Sequence, residues 1–396
     1  MHRFPRHFPR YCSPRCFPRC FPRCFTRCFP SCFPRRFPHR FPRSAAFGVT
    51  LGLLGLLLLG LGGAGAAIAN FSFLGTVTGL PGLEGAYAVT LSPDGAHVYA
   101  TGGANGTLVA LSRNATTGQL THVQTLQDGV DGVDGLSNAS GLAVSPDGAH
   151  VYVAGAGDNA LAVFQRDAST GQLTFVEVQQ DGVNGVDGLK GTVAVAVSPD
   201  GAHVYAAGHD EDALAVFQRD ASTGQLTFVE ALWDGQRQGA VTMDGLDGAT
   251  GVAISPDGRY LYVTGLRDNS VARFFRGATT GRLTFREVNR NGTDGVQALL
   301  APWSLAISED GAYLIAVAFG GNALVAFHRN NSNGQLSFQE TQRDGIDGVD
   351  GLGQGTGVAI SPDGKHIYTA SGSDNAVAIF GTEPVQYPIF LPLVQR

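Results

Sequence analysis

Cysteine is absent beyond residue 32, and acidic residues are absent before residue 84. All six cysteines stand at four-residue intervals between Cys12 and Cys32. The rest of the chain therefore has no disulfide to stabilise it, and its folding does not depend on the redox state of its surroundings. Charged residues make up only 15% of the sequence, whereas glycine is abundant at 55 residues. This balance favours strands and turns over helices.

The first 43 residues repeat Phe-Pro-Arg with inserted cysteines, and they contain 11 arginines and no acid. A proline at every third or fourth position is incompatible with helix or sheet, so residues 1–44 are predicted to be a disordered leader. The regular cysteines could bind metal or cross-link. However, two close pairs separated by a longer loop, the usual zinc pattern, are not present.

Residues 45–69 carry no charge and end in Ala67-Ile68-Ala69. A basic flank, an apolar run and small residues at this end are typical of a signal peptide with an A-x-A cleavage site. If uncleaved, the run is nearly long enough to anchor the chain in a membrane. We favour cleavage. Because the basic flank stays on the cytoplasmic side, either outcome predicts a secreted or cell-surface protein.

The body of the chain is acidic. Removing the 11 leader arginines from the 27 basic residues leaves 16, against 33 acidic residues. An acidic surface repels nucleic acid and anionic lipid and attracts cations or basic partners. We therefore expect no nucleic-acid partner, and membrane association only if residues 45–69 remain attached.

Six internal repeats fill this body. Ser-Pro-Asp-Gly recurs with spacings of 53, 53, 57, 53 and 53 residues, and the fifth copy reads Ser-Glu-Asp-Gly; the copies start at Ser92, Ser145, Ser198, Ser255, Ser308 and Ser361. Residues 160–177 and 213–230 are identical. A period near 50 residues is typical of propellers.

Each repeat predicts four short antiparallel strands. In the second repeat, an apolar strand precedes the turn at Pro146, an alternating strand follows it, and two further strands flank a polar turn at 168–172. We predict an all-β, six-bladed β-propeller of four-stranded antiparallel blades over residues 70–381, followed by a tail at 382–396. The last repeat ends after three strands, so Phe71–Leu74 is expected to supply the fourth and close the ring, which hides two sheet edges.

The combination of Ser-Pro-Asp-Gly, Val-Tyr-Val, Ala-Val-Phe and Thr-Gly-Gln-Leu-Thr-Phe resembles the lactonase-like β-propeller family of the 6-phosphogluconolactonase type and its Tyr-Val-Thr-Asn-repeat relatives. The resemblance covers about residues 71–380. It implies a propeller and, as one expectation, hydrolysis of a lactone. Members of the family usually have seven blades, whereas this chain has six repeats.

Two sets of loops are rich in acids and should share one face of the disc. The loops between blades contain Asp128, Asp131 and Asp134 near one end of the chain and Asp344, Asp347 and Asp350 near the other. Carboxylates and glycine-flanked carbonyls suit calcium, which takes six to eight oxygen ligands. We predict these six residues as metal ligands, with calcium as the ion. The alternative is that Asp-Gly pairs serve only as turns.

Irregular residues mark the candidate site, because repeated residues build the scaffold. His97, His150, His203 and His366 share one repeat position and are predicted to be structural. His209 breaks the pattern beside Asp210 and Asp212, and this group is the predicted catalytic set, since imidazole near carboxylates suits a general base or a metal ligand. Arg267, Trp233 and Trp303 are predicted to line the ligand pocket.

Two functions remain open from the sequence. The first is a secreted, monomeric binding module whose acidic face recruits a small molecule, carbohydrate or protein. Near-identical blades favour it, since a repeated surface suits binding whereas an enzyme needs one asymmetric group of residues. The second is a lactone hydrolase like the resembled family. Fold alone does not decide between them.

Overall fold

The structure is a computed structural model, and it describes residues 80, 82–374 and 376–382. Contacts divide the chain into two units, Met1–Phe71 and Ser72–Arg396, and all the described residues lie in the second. The predicted leader and export segment lie outside them, as does the C-terminal tail after Thr382. No helix in the described part is long and apolar enough to cross a membrane.

The described residues form 25 strands. They are β1 (Ala86–Leu91), β2 (His97–Gly102), β3 (Thr107–Arg113), β4 (Leu120–Gln127), β5 (Ala139–Val144), β6 (His150–Gly155), β7 (Ala160–Arg166), β8 (Leu173–Gln180), β9 (Thr192–Val197), β10 (His203–Gly208), β11 (Ala213–Arg219), β12 (Leu226–Trp233), β13 (Arg237–Gln238), β14 (Val241–Thr242), β15 (Ala249–Ile254), β16 (Tyr260–Gly265), β17 (Ser270–Arg276), β18 (Leu283–Arg290), β19 (Pro302–Ile307), β20 (Tyr313–Ala318), β21 (Ala323–Arg329), β22 (Leu336–Arg343), β23 (Gly355–Ile360), β24 (His366–Ser371) and β25 (Ala376–Gly381).

These strands form six blades, which confirms the predicted propeller. Blades 1 to 5 are four-stranded antiparallel sheets, β1–β4, β5–β8, β9–β12, β15–β18 and β19–β22, and blade 6 contains β23–β25. The inner strands of consecutive blades contact each other around the axis. The four-residue insertion between the third and fourth repeats forms a separate hairpin, β13–β14.

The Ser-Pro-Asp-Gly turns set the register of each blade. In blade 2 the Ser145 hydroxyl donates to Asp147 Oδ1 at 2.5 Å and accepts the His150 amide at 3.0 Å. Gly148 adopts a φ of 70°, which a side chain would disfavour, and its amide donates to the Ser145 carbonyl. The turn therefore joins the first and second strands in one fixed alignment.

The core lies between blades. Leu161 and Val163 of blade 2 are fully buried against Val204 and Phe217 of blade 3, and similar clusters join each consecutive pair from blade 1 to blade 6. Each fully buried aliphatic side chain stabilises the fold by about 1.5–3 kcal/mol relative to exposure. The blades therefore depend on their neighbours for stability.

A buried arginine crosses each of the first four junctions. Arg219, at the end of the third strand of blade 3, donates to three groups of blade 2: the Tyr152 hydroxyl at 2.8 Å, Asp147 at 2.7 Å and His150 Nδ1 at 2.8 Å. Its remaining nitrogen donates to the Gly201 carbonyl of its own blade at 2.9 Å. We call this set the arginine bracket. It explains the repeated histidines, and the predicted structural role is confirmed for His97, His150 and His203.

Blade 6 has three described strands and an open cavity where a fourth would lie. The cavity, of about 390 Å³, is lined by Phe380 and Glu340 among others. In blade 2 the counterpart of Phe380 is Phe164, which packs edge-on against Phe175 of the outer strand, with ring centroids 5.7 Å apart. The predicted closing strand, Phe71–Leu74, lies outside the described residues, so its pairing with blade 6 stays a prediction.

Apolar side chains are exposed at the two ends of the row of blades. Val89 of blade 1 is 68% exposed, whereas its counterpart Val195 in blade 3 is 9% exposed. Val377 of blade 6 is 65% exposed, whereas its counterpart Leu161 is fully buried. Among the described residues, no core cluster joins blade 6 to blade 1.

Candidate active site at the mouth of the channel

His209 and Asp210 form a pair in the loop between β10 and β11. The distance between His209 Nδ1 and Asp210 Oδ1 is 2.8 Å, and the two side chains are 24% and 61% exposed. The hydrogen bond from His209 lowers the pKa of Asp210, burial opposes this, and the positive charges of Arg267 and Lys190 add to the lowering. The pair is therefore an ionised carboxylate that orients an accessible imidazole.

Arg267 lies next to this pair, in the corresponding loop of blade 4. Its Nη1 is 2.8 Å from Asp212 Oδ1 and 3.1 Å from Asp247 Oδ1. The structure thus brings His209, Asp210, Asp212 and Arg267 together, as the sequence analysis predicted for a catalytic set and one pocket residue. Asp247 joins them and was not predicted there.

Asp212 is held as a turn residue. Its φ is 56°, and its Oδ1 accepts the Gly248 amide at 2.8 Å. Asn159 fills the same position in blade 2 and accepts the Gly191 amide at 2.8 Å. Since this oxygen already binds a backbone amide and Arg267, the geometry favours a positioning role for Asp212. Its predicted catalytic role stays untested.

The charged group is specific to blades 3 and 4. The position of Asp210 holds Gly157 in blade 2 and Gly320 in blade 5, and the position of His209 holds Phe319 in blade 5. Such differences between otherwise similar blades give the channel mouth the asymmetry that an enzyme needs.

Blade 5 carries a pair of aromatic rings, Trp303 and Phe319. The ring centroids of Trp303 and Phe319 are 5.9 Å apart. Tyr87, on the first strand of blade 1, is 48% exposed and interacts with Trp303 through its side chain. The sequence analysis identified Trp303 and missed Phe319 and Tyr87. Aligning the repeats would have shown that Phe319 occupies in blade 5 the position of His209 in blade 3.

Trp233 lies elsewhere. It ends the outer strand of blade 3, pairing with Ala213. Trp303 and Tyr87 instead lie on inner strands of blades 5 and 1. No described contact joins Trp233 to His209, Asp210 or Arg267, so its predicted place in the pocket stays a prediction.

Carboxylates converge at four of the five described junctions, within 4.8 Å of one another at each. The acidic triads are Asp128, Asp134 and Asp158; Asp181, Asp187 and Glu211; Asp234, Asp244 and Asp268; and Asp344, Asp350 and Asp374. Each joins a loop between blades to a loop between second and third strands, so the two acidic loop sets do share a face.

The triads include four of the six predicted metal ligands and leave out Asp131 and Asp347. These two have φ values of 52° and 53° and occupy turn positions. Within the first triad, Asp128 Oδ1 accepts the Leu136 amide at 2.9 Å and Asp158 Oδ2 accepts the Ser137 amide at 2.8 Å. Each of these carboxylates therefore uses one oxygen for the fold and keeps the other available.

An arginine of the chain, Arg290, partly neutralises the negative charge of the third triad. Arg290 Nη2 lies 2.9 Å from Asp268 Oδ1 and also contacts Asp244. Burial raises the pKa of Asp268, and the neighbouring carboxylates add to this, as they do for Asp158 and Asp234. At the junction of blades 4 and 5 the three positions hold Asn291, Gln297 and Gly321 instead.

The sequence matches the lactonase, 7-bladed β-propeller family over residues 80–231 and 236–349, which is more than half of the chain. The resemblance drawn from the repeat motifs is thereby confirmed. The family is described as seven-bladed, whereas the described residues of this chain form six blades.

A curated relative is the 6-phosphogluconolactonase of Bacillus subtilis, 28% identical over 142 residues, which are 36% of this chain and 39% of the relative. Similar solved structures include the periplasmic gluconolactonase PpgL of Pseudomonas aeruginosa, with a TM-score of 0.58, 21% identity and coverage of 76% of this chain and 82% of that one. The Cps50 (Swd1) propeller domain of Myceliophteria thermophila has a TM-score of 0.53 and 14% identity, and covers 75% and 83%.

These matches correct one expectation. The preferred function from the sequence, a non-catalytic binding module, is wrong, because the family match and the curated relative are lactonases. The near-identity of blades 2 and 3 suggested a repeated binding surface. It reflects the shared scaffold, while the loops at the mouth differ from blade to blade.

Proposed function

Because the chain belongs to the lactonase, seven-bladed β-propeller family, we propose that it hydrolyses a lactone at the channel mouth, with His209 and Asp210 as the reacting pair. The observation that carries this proposal is the 2.8 Å contact that leaves His209 Nε2 free to act on water. Imidazole oriented by a carboxylate is a frequent general base.

The proposed reaction is the hydrolysis of the lactone ring by one water molecule. With the His209 proton on Nδ1 and shared with Asp210, Nε2 takes a proton from water as the water oxygen attacks the lactone carbonyl carbon. The bond between that carbon and the ring oxygen then breaks, and Nε2 returns the proton to the leaving alkoxide. Arg267 has guanidinium nitrogens beyond Nη1 that can donate to the carbonyl oxygen as negative charge develops there.

We propose an uncharged lactone as the substrate class. Asp210, Asp212 and Asp247 outnumber the basic groups beside them, Arg267 and Lys190, and the acidic triads lie on the same face. A phosphorylated lactone would be repelled by this field. Trp303 and Phe319 offer an apolar surface against which the face of a sugar ring can pack.

A lactone panel tests the proposal. Acid release from uncharged and phosphorylated sugar lactones is measured above spontaneous hydrolysis for the wild type, His209→Ala and Asp210→Asn. His122→Ala, an exposed histidine of blade 1, is the control. We expect loss of about 10²–10⁴-fold in kcat for His209→Ala and none for the control. Folded wild type with no activity on any lactone, or full activity in His209→Ala, would overturn it.

We also propose that calcium binds the acidic triads that no arginine compensates. Support comes from the available carboxylate oxygens within 4.8 Å of one another, a span compatible with two ligands at 2.3–2.6 Å from one ion. Further support comes from Arg290, which supplies positive charge to the third triad. At the junction of blades 4 and 5 all three acids are replaced together, as expected if they act as one group.

Calcium titration followed by melting temperature tests this second proposal. Asp134→Asn removes one negative charge from the first triad, and Asp131→Asn removes one from a neighbouring carboxylate outside it. Asn suits the positive φ of residue 131, so the control is not strained. We expect millimolar calcium to raise the melting temperature of the wild type and Asp131→Asn more than that of Asp134→Asn. Equal shifts, or no shift, would contradict calcium binding at this triad.

A further inference from the structure

Residues of the arginine bracket also stand at the two ends of the row of blades, the arginine in blade 1 and the groups that receive it in blade 6. Arg113, at the end of β3, occupies the position of Arg219, and its Nη1 donates to the Gly95 carbonyl at 3.1 Å, as Arg219 does to Gly201. Among the described residues, its Nε and Nη2 have no partner from another blade. Blade 1 thus carries an arginine already oriented for a bracket.

Blade 6 carries the receiving half. Asp363, His366 and Tyr368 occupy the positions of Asp147, His150 and Tyr152. His366 Nδ1, the atom that contacts the arginine in blades 1 to 3, is buried without a hydrogen-bond partner among the described residues. Asp363 accepts from the Ser361 hydroxyl and the Lys365 amide, as Asp147 does in its own turn, and no arginine of the described chain reaches it.

The junction of blades 5 and 6 lacks both the arginine of the bracket and the tyrosine that the arginine contacts, whereas the other four junctions described have both. There the arginine position is Thr382, and the tyrosine and histidine positions are Ile315 and Tyr313. When the arginine is absent, two of its partners are absent too. Retention of Arg113 at one end and of Asp363, His366 and Tyr368 at the other is therefore a sign that these residues have each other as partners.

A glycine contact supports the same pairing. In the bracket of blades 2 and 3, Gly224 lies on the ring of His150, and its carbonyl accepts the Tyr152 hydroxyl at 3.0 Å. A Cβ atom at Gly224 would lie 2.1 Å from His150 Cδ2, so only glycine fits. Blade 1 has Gly118 at this position, with a φ of 73°.

We propose that blade 6 and blade 1 of the same chain close directly on each other, with Arg113 donating to Asp363, His366 Nδ1 and the Tyr368 hydroxyl, and Gly118 covering His366. The contact buries Val89 and Leu91 of blade 1 and Val377 and Ile379 of blade 6, whose counterparts form the cores of the other junctions. It completes a six-bladed ring.

The partner is the chain's own first blade and not a second copy. Blade 1 is tethered to blade 6 of the same chain through the four blades between them, which are arranged around one axis. Its effective concentration at blade 6 is therefore far higher than that of a second copy in dilute solution.

Hydroxyl-radical footprinting of the full-length wild type tests closure without any substitution. After correction for intrinsic reactivity, we expect Leu91 and Ile379 to be labelled at least about fivefold less than the exposed Ile346, and close to the buried Leu161, because closure removes most of their exposed surface. Labelling of both residues at the level of Ile346 would overturn the proposal.

A double-mutant cycle tests the bracket itself. Melting temperatures are measured for Arg113→Gln, Asp363→Asn and the double variant. The cycle of Arg219→Gln with Asp147→Asn is the positive reference, and Arg113→Gln with Asp310→Asn is the negative one. In the 113/363 cycle and the 219/147 cycle, we expect the loss of melting temperature in the double variant to be smaller than the sum of the two single losses by about 2 °C or more. In the 113/310 cycle we expect the two losses to add. Additive shifts for residues 113 and 363 would overturn the pairing. A concentration-dependent dimer whose coupling vanishes on dilution would overturn closure within one chain.

Discussion

Arg219 Nη2 lies 2.7 Å from Asp147 Oδ2, across the boundary between blades 3 and 2. The arginine side chain is fully buried, whereas the aspartate is 42% exposed. The pair joins residues 72 positions apart, so it fixes one blade on the next. Because the same pair recurs at the neighbouring junctions, the stability of the ring is distributed over similar contacts.

Arg219→Ala is expected to destabilise the protein by about 3 kcal/mol, because it leaves His150 and Tyr152 without their buried donor and Asp147 without its partner. Denaturant unfolding measures the change. Arg237→Ala, an exposed residue of the β13–β14 hairpin, should change the unfolding free energy by less than about 0.5 kcal/mol. Similar losses in both variants would show that the bracket contributes little.

Stability should fall in two stages on acidification. Burial and the positive charge of the bracket arginines lower the pKa values of His97, His150 and His203. Below about pH 6.5 the unfolded chain therefore binds protons that the folded chain does not, and the unfolding free energy decreases as pH falls.

The second stage comes from the carboxylates. Burial alone would raise the pKa of Asp147, but hydrogen bonds from Ser145, the Ala149 amide and Arg219, with the charge of Arg219, lower it to about 2. Its stabilising effect is complete above about pH 4 and is lost as pH falls towards 2. Unfolding free energies from pH 8 to 2 check both stages. The double variant His150→Tyr, His203→Tyr, which copies Tyr260 of blade 4, should reduce the loss of unfolding free energy below about pH 6.5 and leave the loss near pH 2–4 unchanged.

Gly224→Ala should be more destabilising than Gly182→Ala. Both glycines have φ values above 70°, so both substitutions carry the same backbone cost of about 1 kcal/mol. Only at Gly224 would the new Cβ meet a ring, His150, whereas nothing lies within 4 Å at Gly182. The difference between their melting temperatures isolates the clash. Equal effects would mean that the turn moves freely over the histidine.

Trp303→Ala should raise KM for an uncharged lactone about tenfold and leave kcat nearly unchanged, since lost stacking weakens ground state and transition state alike. Michaelis kinetics measure both constants. Trp233→Ala, on the outer strand of blade 3, is the comparison, with little change expected in either. A fall in kcat alone for Trp303→Ala would argue against a binding role.

Export can be tested by removing residues 45–69. The full chain is expected to reach the outside of the cytoplasmic membrane, since an apolar run after a basic flank directs translocation, and the deleted chain should remain inside. Protease treatment of intact cells distinguishes the two. N-terminal sequencing that begins at Asn70 would establish cleavage, and an intact N-terminus on a membrane-bound protein would establish anchoring.

Much of the fold followed from the sequence, because repeats carry local signals. Ser-Pro-Asp-Gly specifies its turn through one hydroxyl and one carboxylate, and alternation such as Val151-Tyr152-Val153 specifies a strand. A propeller needs only such local units and their repetition. The sequence also predicted His209, Asp210 and Arg267 as site residues, since they interrupt the repeats, and the structure places them near one another. Their roles stay predictions.

Tertiary structure alone decided the pairings between blades. The sequence predicted Asp128, Asp131 and Asp134 as equal ligands, whereas the structure groups Asp128 and Asp134 with Asp158 from another loop and leaves Asp131 out of the triad. The sequence predicted both Trp233 and Trp303 as pocket residues. In the structure only Trp303 lies on an inner strand. Sequence determines which residues a blade presents. Which of them meet depends on contacts about 72 residues apart, and no local pattern records those.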